Sequence, residues 1–221
     1  MKKLLTAVSL SLFSVSALAA TNVPKHDIEA GKTIAENNCA ACHGVNGVSV
    51  VPSQPNLGGQ HIKYLYKQLL DFKSGHRVNG IMQAQVANLS RQDLANVSAF
   101  YASQQPWGVS YGNPATADQA MKLYLGGDKS RGVIPCAGCH DPKGQGNAWA
   151  GFPRLGGQHS AYVATQLKLF RAAGREDDVS KDQMRVNDAA KEGEKGMMQM
   201  VAKHLSDKDI AMLSDLIAGL H

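Results

Sequence analysis

One short motif occurs twice in this chain of 221 residues: Cys39-Ala40-Ala41-Cys42-His43 and Cys136-Ala137-Gly138-Cys139-His140. Each is C-x-x-C-H, the pattern for covalent attachment of a c-type haem. Two thiols three positions apart each form a thioether to one vinyl group of the same porphyrin. The histidine that follows lies under the iron and binds it through an imidazole nitrogen. The chain has four cysteines, and the two motifs use all of them. No thiol remains for a disulfide, a zinc site or a nucleophile.

The N-terminus reads as a secretory signal peptide. Lys2 and Lys3 form a basic start, Leu4 to Leu18 is apolar or small, and Ala17-Leu18-Ala19 is an A-x-A cleavage site. Cleavage is expected after Ala19. The apolar run falls short of the roughly 20 residues that a spanning helix needs, and no later stretch qualifies. The expected product is soluble and exported to the periplasm, where c-type haem is attached in bacteria. Without Lys2 and Lys3 the surplus of basic side chains falls from five to three, and the propionates of two haems bring it near neutrality. No long basic run or aromatic–basic interleaving points to nucleic acid.

The duplication extends far beyond the cysteines. Pro55-Asn56-Leu57-Gly58-Gly59-Gln60-His61 recurs as Pro153-Arg154-Leu155-Gly156-Gly157-Gln158-His159. Tyr64, Gln68, Leu69 and Phe72 match Tyr162, Gln166, Leu167 and Phe170. Gly80-Ile81-Met82-Gln83 matches Gly196-Met197-Met198-Gln199, and Leu89-Ser90 with Asp93 matches Leu205-Ser206 with Asp209. Such ordered repetition predicts two homologous domains, 20–105 and 114–221, after a signal peptide at 1–19. Pro106, Gly108 and Gly112 punctuate the linker 106–113. Trp107 and Tyr111 in it are expected to pack between the domains.

The predicted fold class is all-α, two tandem helical domains, each wrapped around one covalent haem. The periodicity predicts a helix near Asp27 to Asn37 that runs into the first motif, with Ala115 to Leu125 as its counterpart. A second helix is predicted from His61 to Lys73 and again from His159 to Ala172. A third opens on Ser90 with Asp93, and on Ser206 with Asp209, a variant of the capping box. A domain of about 90 residues has a marginal core by itself, so a buried haem supplies apolar surface that the chain lacks. The segment Glu176 to Lys195 has almost no counterpart in the first half. Its seven acidic and four basic residues predict a long solvated loop over the methionine side of the second haem.

His43 and His140 are the expected proximal ligands. Met82 and Met198 stand at equivalent positions, each eight residues before the serine that opens the last helix, and are the expected sixth ligands. A thioether is a usual partner of histidine in electron-transfer haems and raises their potential. Met197 and Met200 compete with Met198, whereas Met121 and Met212 read as core filler. His61 and His159 are repeated too and are rival ligands, but a surface or haem-edge role is favoured for them. A metal-bound imidazole usually donates its other N–H to a carbonyl, and Pro55 and Pro153 are the candidates to supply it.

Taken together, C-A-x-C-H, P-x-L-G-G-Q-H and the methionine ahead of L-S, all duplicated around a short linker, make this chain resemble the di-haem cytochromes c4. The resemblance covers essentially all of the chain after the signal peptide. It implies two covalent haem c groups with His/Met ligation, facing each other across a domain interface. Cys39, Cys42, His43 and Met82 match the positions that hold one haem in that family, and Cys136, Cys139, His140 and Met198 those that hold the other. It further implies periplasmic electron transfer from a quinol-oxidising donor complex towards a terminal oxidase such as the cbb3 type, by transient docking of a monomer to membrane complexes.

The leading functional expectation is therefore a one-electron carrier in a respiratory chain rather than an enzyme. A second reading is the cytochrome subunit of a larger dehydrogenase, as in a flavocytochrome, with the same cofactor chemistry and a permanent partner. A di-haem peroxidase needs an open sixth position, and both halves offer a methionine there. Zinc is disfavoured because the two cysteine pairs lie much further apart than the roughly 15–20 residues of a zinc ribbon.

Overall fold

A computed structural model describes residues 22–110, 112–188 and 194–221. The predicted signal peptide and Tyr111 lie outside the described residues. The described chain is helical, with only two isolated β-bridges, Asp128 with Val133 and Asn147 with Phe152. None of its helices is long and apolar enough to cross a membrane.

The first half begins with α1, Ile28–Ile34, capped by the Asp27 carboxylate on the N–H groups of Glu29 and Ala30. A π-helical turn, Ala35–Cys39, carries it into α2, Ala40–His43, so the first motif continues a helix as expected. Next come α3, Ile62–Ser74, α4, Gly80–Val86, and α5, Arg91–Ser103. On α3, Leu65, Tyr66 and Phe72 are buried. The reciprocal bonds between Ser90 and Asp93 form the capping box of α5. Gly31 of α1 lies so close to α5 that a Cβ on it would sit 2.1 Å from the Asn96 carbonyl oxygen.

The second half repeats this order with α6, Pro114–Gly126, α7, Ala137–His140, α8, Ser160–Arg175, α9, Met197–Ala202, and α10, Asp207–Gly219. Unlike α1, α6 does not run into its motif. Gly127 turns at φ 66°, and the bridged turn from Asp128 to Val133, followed by Pro135, intervenes before Cys136. The helices α4 and α9 were not visible in the periodicity, being only 7 and 6 residues long. They carry Met82 and Met198.

Each half has its own core. In the second, Leu123, Tyr124, Val163, Phe170, Leu205, Ile210, Leu213 and Ile217 form one cluster. The first half has two clusters, one with Ala35, Leu65, Phe100 and Tyr101, the other with Tyr66, Phe72, Val86 and Leu94, and Leu69 packs against both. Met212 is buried and Met121 packs on the second core, the filler role expected of them.

Residues 189–193 lie outside the described residues, and the rest of the segment from Glu176 to Lys195 is largely exposed as expected, except around Arg185 and Asn187. Arg185 and Asn187 are buried, although the residues before Met184 are exposed. Arg185 stacks on Phe170, 4.4 Å from the ring centroid, and donates to Gln166 of its own half. It also reaches the Tyr64 hydroxyl and Gln68 of the other half. Charge-rich composition suggested solvent, but this arginine is buried by partners from both domains.

Candidate functional site

His43 and His140 are held in the same way in both halves. Each sits on the last residue of a one-turn helix, α2 or α7, and each is about 5–6 % exposed. His43 Nδ1 lies 2.9 Å from the Pro55 carbonyl oxygen, and His140 Nδ1 lies 3.0 Å from that of Pro153. A carbonyl only accepts, so Nδ1 carries the proton and Nε2 keeps its lone pair. Burial holds both imidazoles below their ordinary pKa, against the opposing effect of the carbonyl bond. The rings are therefore neutral, oriented and ready to bind a metal through Nε2.

The cysteines divide by environment. Cys39 packs against the Leu65–Phe100 cluster and Cys136 against the second core, while Cys42 and Cys139 are exposed. Burial pushes the Cys39 and Cys136 thiols up to about 11. None of the four is in a disulfide.

Met82, on α4, packs against the Tyr66–Leu94 cluster and is linked to the Cys39 cluster through Leu69. Met198, on α9, packs on the same core as Cys136. Its neighbours Met197 and Met200 are 59 % and 41 % exposed. Both methionine N–H groups donate to a side chain: Met82 to its N-cap Asn79 at 3.0 Å, and Met198 to the Asp188 carboxylate, ahead of the helix, at 2.5 Å. The tripeptide Arg77-Val78-Asn79 recurs as Arg185-Val186-Asn187. This repeat escaped the sequence reading because the longer second segment shifts it out of register with the methionines.

His61 and His159 do not sit at a free surface. Each crosses to the opposite half, His61 Nε2 donating to the Gln145 carbonyl and His159 Nε2 to that of Ser49, both at 2.9 Å. The preceding Gly-Gly pair allows close approach. Gly59 and Gly157 adopt φ values of 67° and 77°, and a Cβ on them would press on Pro106 and on Trp107 with Gly108. Trp107 is buried between the halves, as expected, and donates to the Gly156 carbonyl at 2.8 Å.

Along α3 and α8 the interface is built from matched polar pairs. Arg77 stacks on Phe72 and donates to Gln68, Tyr162 and Gln166, mirroring Arg185. Among the described residues neither guanidinium is hydrogen-bonded to a carboxylate. Burial alone would raise the Tyr64 pKa, but Arg185 and Arg77 outweigh it and hold the phenol below its ordinary value.

These residues fit a covalently held haem in each half. In each half the donor set is two thiols, an oriented imidazole and a thioether; Cys136 and Met198 pack on one core, and Leu69 links the clusters of Cys39 and Met82.

A family model described as cytochrome c matches residues 28–105 and 134–221. Cytochrome c4 of Pseudomonas aeruginosa is 41 % identical over 221 residues, covering 100 % of both chains. The crystal structure of reduced recombinant cytochrome c4 from Pseudomonas stutzeri superposes with a TM-score of 0.77 at 42 % identity, covering 89 % of this chain and 100 % of that one. A thiosulfate dehydrogenase electron acceptor of Stutzerimonas stutzeri is 32 % identical over 219 residues, covering 98 % of this chain and 94 % of the relative.

Proposed function

This chain belongs to the cytochrome c family, in its di-haem cytochrome c4 branch, and we propose that it passes electrons singly through the periplasm, from a quinol-oxidising donor complex to a terminal oxidase. It is an electron carrier with two covalent haem c groups, not an enzyme, which sets aside the peroxidase reading. When bound, each haem supplies a one-electron Fe(II)/Fe(III) couple.

The chain's own residues do the rest. Cys39 and Cys42 anchor one haem, and Cys136 and Cys139 the other. His43 and Met82 would supply both protein ligands of the iron in the first half, and His140 and Met198 those in the second. With both ligands in place, no site is left for substrate or oxygen. Met198 is preferred to Met197 and Met200 because it alone of the three packs on the core that holds Cys136. Arg185, buried, and Arg77, half-buried, neither hydrogen-bonded to a carboxylate among the described residues, suit anionic haem edges at the interface. Residues 1–19 direct export as a signal peptide, residues 20–105 and 114–221 are the two domains, and docking to partners is weak and transient.

The single observation that carries this reading is the equivalent hold on two histidines, His43 on Pro55 and His140 on Pro153. The test is oxygen uptake by oxidase-containing membranes given the reduced holoprotein as sole donor. Oxidation at a rate that saturates with the protein supports the proposal; a reduced protein that stays reduced contradicts it.

A second reading is supported by the thiosulfate dehydrogenase electron acceptor that resembles the chain over nearly its whole length. It makes a dehydrogenase the donor, either as a transient partner or as a permanent one. Copurification with such a dehydrogenase, together with reduction by it and not by a quinol-oxidising complex, favours this second reading.

A further inference from the structure

Gln60 and Gln158 hold the same place in the two copies of P-x-L-G-G-Q-H, and each reaches into the other half. The Gln158 side chain accepts from the Asn56 N–H at 2.9 Å and donates to the Asn56 carbonyl at 3.0 Å. The Gln60 side chain does the same with Arg154, accepting from its N–H and donating to its carbonyl, both at 2.9 Å. Gln60, Gln158 and Asn56 are all buried.

The Asn56 N–H and the Pro55 C=O are the two ends of one resonance-linked peptide group. That group accepts from His43 at its oxygen and donates to Gln158 at its nitrogen. The peptide between Pro153 and Arg154 likewise accepts from His140 and donates to Gln60. Each peptide that orients an axial histidine is thus gripped by a glutamine of the opposite domain.

We propose that Gln60 and Gln158 are positioning residues that act crosswise, each tuning the axial histidine, and so the reduction potential, of the haem in the other half. This rests on the assignment of His43 and His140 as iron ligands. A peptide whose N–H is engaged carries more negative charge on its oxygen, and linked hydrogen bonds strengthen one another by about 10–30 %. A stronger bond to Nδ1–H makes the imidazole a more basic ligand, which favours Fe(III) over Fe(II). Removing Gln158 therefore raises the potential of the His43 haem, and removing Gln60 raises that of the His140 haem.

The test is a redox titration of the holoprotein followed by NMR, which assigns each haem to its half. In Gln158→Leu the oxidised-to-reduced ratio of the first haem, at a fixed ambient potential, is expected to fall about two- to fivefold. The second haem stays where it was, and Gln60→Leu gives the mirror pattern. Gln158→Glu keeps an acceptor oxygen, and a stronger one, so it moves the first haem the opposite way. The His43 Nδ1–H resonance of the reduced protein shifts in Gln158→Leu and not in Gln60→Leu. Leucine variants that move the haem of their own half, both haems equally, or neither, overturn the proposal. So does a glutamate variant that shifts in the same direction as leucine. The ligand assignment is checked separately in the wild-type protein: if the His43 and His140 ring resonances lack the large shifts of haem ligands, that assignment fails before any variant is compared.

Discussion

Arg185 Nη2 lies 3.1 Å from the Tyr64 hydroxyl oxygen, so the segment that breaks the repeat ends up bonded to the opposite domain. The same guanidinium donates to Gln68, Gln166 and Asn187, and is stacked on Phe170. Asn187 continues the contact, donating to Gln68 and to the Asp71 carboxylate. What looks like an insertion in the second half works as a clamp on the first.

Removing that clamp leaves several buried acceptors without a donor. Arg185→Met is expected to destabilise the holoprotein by about 2–4 kcal/mol, read as a lower denaturation midpoint. Arg185→Lys recovers little of this, because an ammonium cannot span the same set of acceptors while stacking on a ring. A midpoint unchanged in Arg185→Met contradicts the clamp.

Docking of the halves is expected to weaken in acid. Burial holds His61 below its ordinary value of 6.5, the Gln145 carbonyl opposes the shift, and the nearby Arg154 adds to it. The folded state therefore prefers neutral His61. Its contribution to stability is complete above pH 6.5 and is lost as pH falls from there towards the depressed folded value. Denaturation midpoints measured between about pH 5 and 8 should fall less steeply with acid in His61→Gln than in the wild type.

The two haems are expected to titrate separately. Position 56 is a neutral asparagine, whereas its counterpart Arg154 brings a positive charge to the peptide that holds His140. A nearby cation disfavours Fe(III), which places the second haem at the higher potential. Arg154→Asn should lower it, raising its oxidised-to-reduced ratio about two- to tenfold at fixed ambient potential. Redox titration of the variant checks the direction.

Much of this was legible because repetition and local chemistry are written along the chain. The capping serines, the helices after each P-x-L-G-G-Q-H and the carbonyls of Pro55 and Pro153 follow from spacing alone. Of the interface, Trp107 was legible and the rest was not. His61 and His159 gave no sign of crossing between domains, since their partners, Gln145 and Ser49, are backbone carbonyls far away in sequence. Arg185 was hidden by its acidic neighbours, and the short helices α4 and α9 span too few turns to show a period. The recurring Arg-Val-Asn was the one available signal, and it marks both the cross-domain arginine and, at or beside its last residue, the side chain that accepts from each methionine N–H.

Met82 and Met198 are the proposed sixth ligands, which close the two irons. Carbon monoxide binding to the reduced holoprotein at neutral pH tests this assignment most directly, in the wild type and in four variants. No binding is expected in the wild type, Met197→Ala or Met200→Ala, and binding at one haem each in Met82→Ala and Met198→Ala. Binding by the wild type, or an open iron created by Met197→Ala or Met200→Ala instead of Met198→Ala, would contradict it.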